Sequence, residues 1–454
     1  MTDFLNLANL RCVSVVEHDD YYAVQARPAD SNGNILCPYC TAAHPYGHGS
    51  NKPSFMDTPS HGKKVIITID RKRYRCRGCG KTFAEPIADI DDKCDATKRL
   101  VAYIEKKSLK TTFSAVAREV GVNEKTVRNV FTDFSANLAK NHVFETPRVL
   151  GIDEIHLVRG YRCMITNIEK KTIYDMLPKR NKEDILPYFI KLPNKETIEV
   201  VTMDMWRPYK QVVEQVLPGL PIVIDKFHIV KMANSCLEKA RKGIRESLGK
   251  KERIKLMNDR FTLLKRTRQL TESQKELVSA WSDKFPEIGY AYTAKESFFD
   301  IFDSDYSIDE AKGALSAWVG CLDKTVAPYY QELLTALSNW QCEILNGFAH
   351  RYTNAYTECA NRLVRDKDRI GRGYSFDVIR SLMVYDNAAN SEGSTSIRSQ
   401  IRRQKNIEDG FMKFMLVSSY QNEIEYEMVD KVVTKHYGAH IPTLCAKLER
   451  GDFE

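Results

Sequence analysis

Cys37-Pro-Tyr-Cys40 and Cys76-Arg-Gly-Cys79 constrain this chain more tightly than any other feature in it. Two thiolates per tight turn converge on one tetrahedral Zn²⁺ with bonds of about 2.3 Å, and four sulfur ligands leave no open coordination position. A closed site of this kind is structural, because the ion supplies folding free energy that so short a segment cannot gather from apolar burial. One structural Zn²⁺ is therefore expected on Cys37, Cys40, Cys76 and Cys79. The 35 residues between the pairs, which include His44, His48 and His61, exceed the roughly 15 to 20 of the usual ribbon loop.

The chain has 454 residues, enough for about three domains. With 43% hydrophobic and 28% charged residues it has material for sizeable cores, which excludes general disorder. No apolar run reaches the roughly 18 residues that a membrane span needs, and the start lacks the basic region of a secretory signal, so a soluble, cytoplasmic protein is expected. The scattered cysteines, among them Cys163, Cys236, Cys321, Cys342 and Cys359, read as small buried hydrophobes. A net charge of +8 is only mildly basic, and its placement matters more than its sum. Between Gly62 and Lys81 eight basic residues face one acid. There a β-branched strand, Val65 to Asp70, runs into Arg71-Lys72-Arg73-Tyr74-Arg75, a strand suited to tracking phosphates.

A helix-turn-helix follows. Thr97 to Lys107 places Leu100, Val101 and Ile104 on one face, and Thr112 to Val120 is a second short helix that Gly121 breaks. Asn123 caps a third helix, in which Val127, Val130 and Phe131 share the buried face. Its outward residues Lys125, Thr126, Arg128 and Asn129 are the ones that would enter a major groove.

From Pro147 the period changes. Three short strands, Arg148 to Leu157, Tyr161 to Ile168 and Lys171 to Leu177, form an antiparallel meander. Then come a helix from Glu183 to Leu192, a strand from Ile198 to Asp204, a helix from Tyr209 to Leu217 and a strand from Pro221 to Asp225. This β-β-β-α-β-α-β order is the RNase-H-like layout, in which the first and fourth strands are neighbours. Asp153 and Asp204 can then share divalent ions although they are far apart in the chain. Unpaired carboxylates on a sheet are costly, and a metal pair offsets that desolvation. A two-metal phosphoryl-transfer site needs a third carboxylate, usually offered from a helix packed on the sheet. Downstream, Glu358, Asn361, Arg362 and Arg365 fall at i, i+3, i+4 and i+7 of one helix. The stretch after it, Asp366 to Tyr374, reads as a glycine-broken basic loop suited to a DNA backbone.

Taken together, the two knuckles, the helix-turn-helix, Gly-Ile-Asp153-Glu, Met-Asp204-Met-Trp-Arg-Pro-Tyr209, Val-Ile-Asp225-Lys-Phe-His228 and Thr-Glu358-Cys-Ala-Asn361-Arg resemble an insertion-sequence transposase of the DDE type, most of all the bacterial ISL-three family. The likeness runs over nearly the whole chain, and Cys359 stands where the family commonly has Gly. It implies a catalytic triad of Asp153, Asp204 and Glu358 holding two Mg²⁺ ions. Asp225 is the rival for the second acid; with His228 it resembles the D-x-x-H signature of related transposases, a supporting site near the metals. The implied activity is binding of terminal inverted repeats, DNA cleavage and strand transfer, by a homodimer or larger assembly on double-stranded DNA at the nucleoid. Two other readings are a DNA-binding regulator derived from a transposase and an RNase-H-like nuclease without strand transfer.

The long stretch between Asp225 and Glu358 is helical by period and resembles the all-helical insertion of related transposases. Its first part, Lys231 to Leu270, carries thirteen Lys or Arg against four Asp or Glu, which points to nucleic acid at Arg241, Lys242 and Arg245. Trp281, Trp318 and Trp340 read as core, and Asn387 to Ser396 as a flexible linker. The expected organisation is multidomain α/β: a zinc-binding module (1–90), a helix-turn-helix domain (91–146), an RNase-H-like domain in two parts (147–230 and 346–388) split by a helical insertion (231–345), and a linker with a C-terminal tail (389–454).

Overall fold

The structure, a computed structural model, describes residues 3–29, 35–141 and 144–390. The expected C-terminal tail lies outside them. The N-terminal part contains β1 (Leu10–Glu17), β2 (Tyr21–Pro28), β3 (Tyr46–Asn51), β4 (Ser54–Ser60), β5 (Lys63–Ile69), β6 (Arg71–Arg75), β7 (Thr82–Ala84), β8 (Ile90–Asp91) and β9 (Ala96–Thr97). They form one sheet of order β1-β2-β5-β4-β9-β8 and a small one of order β3-β6-β7. In β5, Val65, Ile67 and Ile69 alternate inward and pack with Val24, Phe55 and Leu10. The larger sheet was not foreseen, because most of its strands carry too few β-branched residues to stand out. Buried Asp57 of β4 is fully engaged: its Oδ1 accepts from Thr97 Oγ1 at 2.6 Å and Arg99 Nε at 2.8 Å, which fastens the sheet to the helix that follows.

That helix is α1 (Lys98–Lys110), followed by α2 (Phe113–Val120) and α3 (Glu124–Asn141). Thr97 and Thr112 cap the first two through their hydroxyls, and Asn123 Oδ1 accepts the Thr126 N–H at 2.9 Å. Gly121 closes α2 at φ +81°, and a Cβ there would lie 2.8 Å from Met56 Cε. The turn is thus pressed against the N-terminal sheet.

The second sheet is built from β10 (Val149–Leu157), β11 (Gly160–Asn167), β12 (Thr172–Leu177), β13 (Val200–Met203) and β14 (Ile222–Ile224), with α4 (Lys182–Ile190) and α5 (Arg207–Val216) between its last strands. Its order is β12-β11-β10-β13-β14. The first three strands are antiparallel, and β10, β13 and β14 run parallel. Ile152 is in register with Met203, and Met203 with Ile224. The next residue along each of these neighbouring strands is an aspartate: Asp153, Asp204 and Asp225.

Helices α6 (Lys226–Glu246), α7 (Lys250–Asn258), α8 (Arg260–Leu264), α9 (Glu272–Lys284), α10 (Pro286–Asp303), α11 (Ile308–Gly320), α12 (Ala327–Asn339) and α13 (Gln341–His350) follow, then α14 (Ala355–Gly371) and α15 (Phe376–Asn390). A single apolar core joins one face of the sheet, through Ile152, Met203 and Ile224, to these helices, and Trp281, Trp318 and Trp340 lie in it. The opposite face of the sheet shares a second core with α1, α2, α3, α14 and α15.

Three expectations fail locally. Helix α14 continues to Gly371, so the expected basic loop shrinks to the turn at Arg372 and Gly373, both at positive φ. Asn387 to Asn390 belong to α15 rather than to a linker, whose remainder lies outside the described residues. Cys163 and Cys236 are buried as expected, whereas Cys342 and Cys359 are exposed on helix surfaces and Cys321 is exposed at the C-terminal end of α11.

Candidate active site

The two CxxC turns meet. Cys37 Sγ lies 3.7 Å from Cys79 Sγ, Cys40 Sγ lies 3.5 Å from Cys76 Sγ, and all four sulfurs fall within 4.8 Å of one another. The edge of a tetrahedron with zinc–sulfur bonds is about 3.8 Å, so the four thiolates fit a structural zinc. The backbone N–H of Cys79, with that of Gly78, holds the Cys76 thiol down at about 6, which favours the ligating form.

The acids gather where β13 and β14 end, beside the middle of β10. Asp153 is buried, and burial together with the neighbouring Asp204 carboxylate pushes its carboxyl up to about 8. Asn361 of α14 donates from Nδ2 to Asp153 Oδ2 at 2.7 Å, and Tyr209 donates its hydroxyl to the Asp153 carbonyl at 3.4 Å. Asp204 Oδ1 lies 3.0 Å from His228 Nδ1, at ion-pair distance but not in hydrogen-bond direction. That carboxylate raises the His228 imidazole. Asp225 caps α6 by accepting the Phe227 N–H at 3.2 Å, and burial raises its carboxyl. Ligand atoms of Asp225, His228 and Glu358 all lie within 4.8 Å of one another.

Helix α14 brings Glu358 there by close approach. Asn354, fully buried at its start, donates to the Ile152 carbonyl at 3.2 Å and accepts from Thr357 Oγ1 at 2.6 Å and Thr202 Oγ1 at 3.3 Å. Thr357 and Thr166 hydroxyls meet at 2.7 Å across Gly151, where a Cβ would stand 2.8 Å from Thr357 Oγ1 and 2.6 Å from Ile168 Cδ1. Only glycine at 151 lets the helix lie so near β10. Gly151, Thr202, Asn354 and Asn361 are supports that single-residue reasoning missed. The signal was present in the Gly-Ile-Asp and Thr-Glu-Cys-Ala-Asn strings, but their partners come from other strands.

Among the described residues, eight buried side-chain polar atoms lack a hydrogen-bond partner, and four belong to this cluster: Asp204 Oδ1, Asp225 Oδ2, His228 Nδ1 and Asn361 Oδ1. Carboxylates crowded together with unspent lone pairs fit hard divalent cations.

The expected DNA-contacting residues divide. Lys72, Arg73, Arg75, Lys125, Asn129, Lys242, Arg362 and Arg365 are exposed, and Thr126 and Arg245 are half-buried. Arg128 is half-buried too, paired with Glu124 at 2.5 Å and held over the Phe113 and Tyr374 rings. Two are corrections. Arg71 is buried and donates to the Glu85 carbonyl at 2.6 Å and to the Asp92 carboxylate. Arg241 is buried, chelating Glu238 at 2.8 Å and donating to the Leu256 carbonyl. A guanidinium buried and paired in this way is not presented at the surface, where a phosphate would have to meet it. The basic excess of Lys231 to Leu270 is also partly cancelled from outside it, since Arg266 pairs with Glu296, Asp300 and Asp303 of α10. Along α14 the four expected residues do not share one exposed face: Asn361 turns inward to Asp153, while Arg362 and Arg365 face solvent.

A four-cysteine ribbon, a helix-turn-helix and a sheet bearing a carboxylate cluster thus stand in one chain. The chain belongs to the ISL3 transposase family: a family described as transposase matches residues 150–383, the helix-turn-helix domain of transposase family ISL3 matches 85–135, and the zinc-finger of transposase IS204/IS1001/IS1096/IS1165 matches 34–79. A transposase for insertion sequence element IS1001 from Bordetella parapertussis is 24% identical over 213 residues, 46% of this chain and 52% of that protein. The match therefore spans about half the length of that relative. Among the described residues no helix is long and apolar enough to cross a membrane.

Proposed function

We propose that this chain binds the terminal inverted repeats of an insertion sequence and carries out DNA cleavage and strand transfer at Asp153, Asp204 and Glu358, on an RNase-H-like domain interrupted by the helices between β14 and α14. The observation that carries this reading is the register Ile152–Met203–Ile224, which sets Asp153 within β10 level with the aspartates that follow β13 and β14, near Glu358. Two Mg²⁺ ions bound by these carboxylates would activate a water or a 3′-OH and neutralise charge on the leaving oxygen. Asn361 fixes the rotamer of Asp153, and His228 stands at ion-pair distance from Asp204. Asp225 and His228 are supporting groups that complete the anionic pocket. Lys125, Thr126 and Asn129 read the end sequence, while Lys72, Arg73, Arg75, Arg362 and Arg365 follow phosphates. Two ends must be cut in one complex, which calls for at least a dimer on DNA.

The test is Mg²⁺-dependent nicking and joining of end DNA by the purified full chain. Nicking with joining supports the reading. Nicking alone makes the chain a nuclease, and binding alone makes it a regulator.

A further inference from the structure

We propose that the rim of the carboxylate cluster is a stacking platform that holds an unpaired nucleotide of the DNA strand lying across the acids. The inference rests on the transposase reading above and goes beyond it in naming what the strand must do.

Two residues after each of two neighbouring acids stands an aromatic side chain in solvent. Trp206 follows Asp204 and is 36% exposed; Phe227 follows Asp225 and is 51% exposed. Each leaves a parallel strand end and enters a helix, α5 or α6, so both project from the same edge of the sheet as the acids. The other three tryptophans of the chain are buried in the core. A third exposed aromatic, Tyr161, completes the group.

The arrangement is ordered before any ligand arrives. The Arg180 guanidinium lies between two rings, 4.0 Å from the Tyr161 centroid and 4.5 Å from that of Trp206. Glu154, the residue after Asp153, pairs with the same guanidinium. A cation clamped by a carboxylate and sandwiched by two rings fixes the indole beside the site, so little conformational freedom remains to be lost on binding. Aromatic faces interleaved with arginine are what single-stranded nucleic acid stacks on, without preference for a particular base.

The depth of the acids supplies the need. Asp153 is 5% exposed while Asp204 and Glu358 beside it are half-buried, so a phosphate served by all three sits in a recess of the surface. A straight duplex presents its phosphates on a convex surface, and bringing one into a recess parts the flanking base from its neighbours. Rings at the rim recapture the stacking that base has lost.

The experiment compares two end DNAs cut by the full chain with Mg²⁺, one fully paired and one mismatched at the base pairs flanking the cut. Trp206→Ala and Phe227→Ala are expected to slow cleavage of the paired end by about tenfold to a hundredfold, the range one base stack is worth. On the mismatched end they should come within about threefold of the unaltered chain, because the unstacking is already done. Trp206→Phe keeps a ring and should keep most of the activity. On the mismatched end, 2-aminopurine beside the cut should stay bright with both Ala variants and be quenched by the unaltered chain. Equal losses on both substrates, or no loss on either, overturn the platform. Failure of the unaltered chain to cut either substrate overturns the transposase reading, and the platform with it.

Discussion

The zinc ribbon and the carboxylate cluster each bring four or more ligating side chains together, but they do so in opposite ways. In the ribbon the ligands come as two CxxC pairs on tight turns, 35 residues apart, and the apolar support is little more than Phe83 and Tyr74. In the cluster, Asp153, Asp204, Asp225 and Glu358 come from three strands and a helix, and the supports are Gly151, Thr202, Asn354 and Asn361. A metal organises the first site. The fold organises the second and leaves like charges in contact, held apart only by protonation or by a cation.

The largest effect should come from the cluster itself. Asp153→Ala, Asp204→Ala and Glu358→Ala are each expected to lower Mg²⁺-dependent cleavage by roughly a thousandfold or more, while end binding in a gel-shift assay stays within about twofold. Asp225→Ala should give a smaller loss. If Asp204→Ala cleaves nearly as well as the unaltered chain while Asp225→Ala does not, the second acid is Asp225. The geometry makes that comparison sharp, because Glu358 lies close to Asp225 and His228 while Asp204 adjoins Asp153.

Next comes the ribbon. Cys79→Ser should take zinc content from one to none per chain by absorption spectroscopy and remove end binding, yet leave the unfolding transition of the catalytic sheet in place. Full end binding by a zinc-free chain would show that the ribbon is dispensable.

A smaller effect tests the claim that the fold builds the cluster. Gly151→Ala puts a methyl group against Thr166, Ile168 and Thr357. Overpacking of this kind costs about 1–3 kcal/mol. Because the strain is relieved by pushing α14 outward, cleavage should fall further than that stability loss explains. An unchanged melting temperature with unchanged cleavage would remove Gly151 from the argument.

The smallest effect is the pH response. Burial and Asp204 raise the Asp153 carboxyl from its ordinary value near 3.9 to about 8. The folded state therefore favours the neutral form. The penalty is absent below about pH 4, grows as pH rises and is complete above about pH 8. The metal-free chain should melt a few degrees lower at pH 8.5 than at pH 5, on the order expected for a partly relaxed buried acid. Mn²⁺ or Mg²⁺ should reverse the fall, and a flat profile in scanning calorimetry would contradict the crowding of the acids.

What the sequence made legible follows the same divide. Local signals were reliable: CxxC pairs, the Asn123 cap, the Gly121 turn, and the aspartates that follow β13 and β14. The larger N-terminal sheet escaped because β4, β8 and β9 are held by pairing across the sheet rather than by their own propensity. Arg71 and Arg241 were misread because charge in a sequence says nothing of a partner 21 residues away, as with Asp92, or of a carbonyl reached by folding back, as with Leu256. Asn361 was visible as one turn beyond Glu358, but its inward direction depends on how α14 sits on β10.

The core shared by the helix-turn-helix and the far end of the chain has a consequence in time. The Phe113 N–H donates to the Tyr374 hydroxyl at 2.9 Å across 261 positions, and Val378, Ile379 and Leu382 of α15 pack with Leu100, Ile104 and Val127. A ribosome moving at ~5–20 residues per second leaves α1 to α3 waiting roughly 10 to 50 s for that cover. During that interval the nascent chain shows an uncovered apolar surface to chaperones and to other chains. A product that stops before Phe376 keeps that surface open for its whole lifetime.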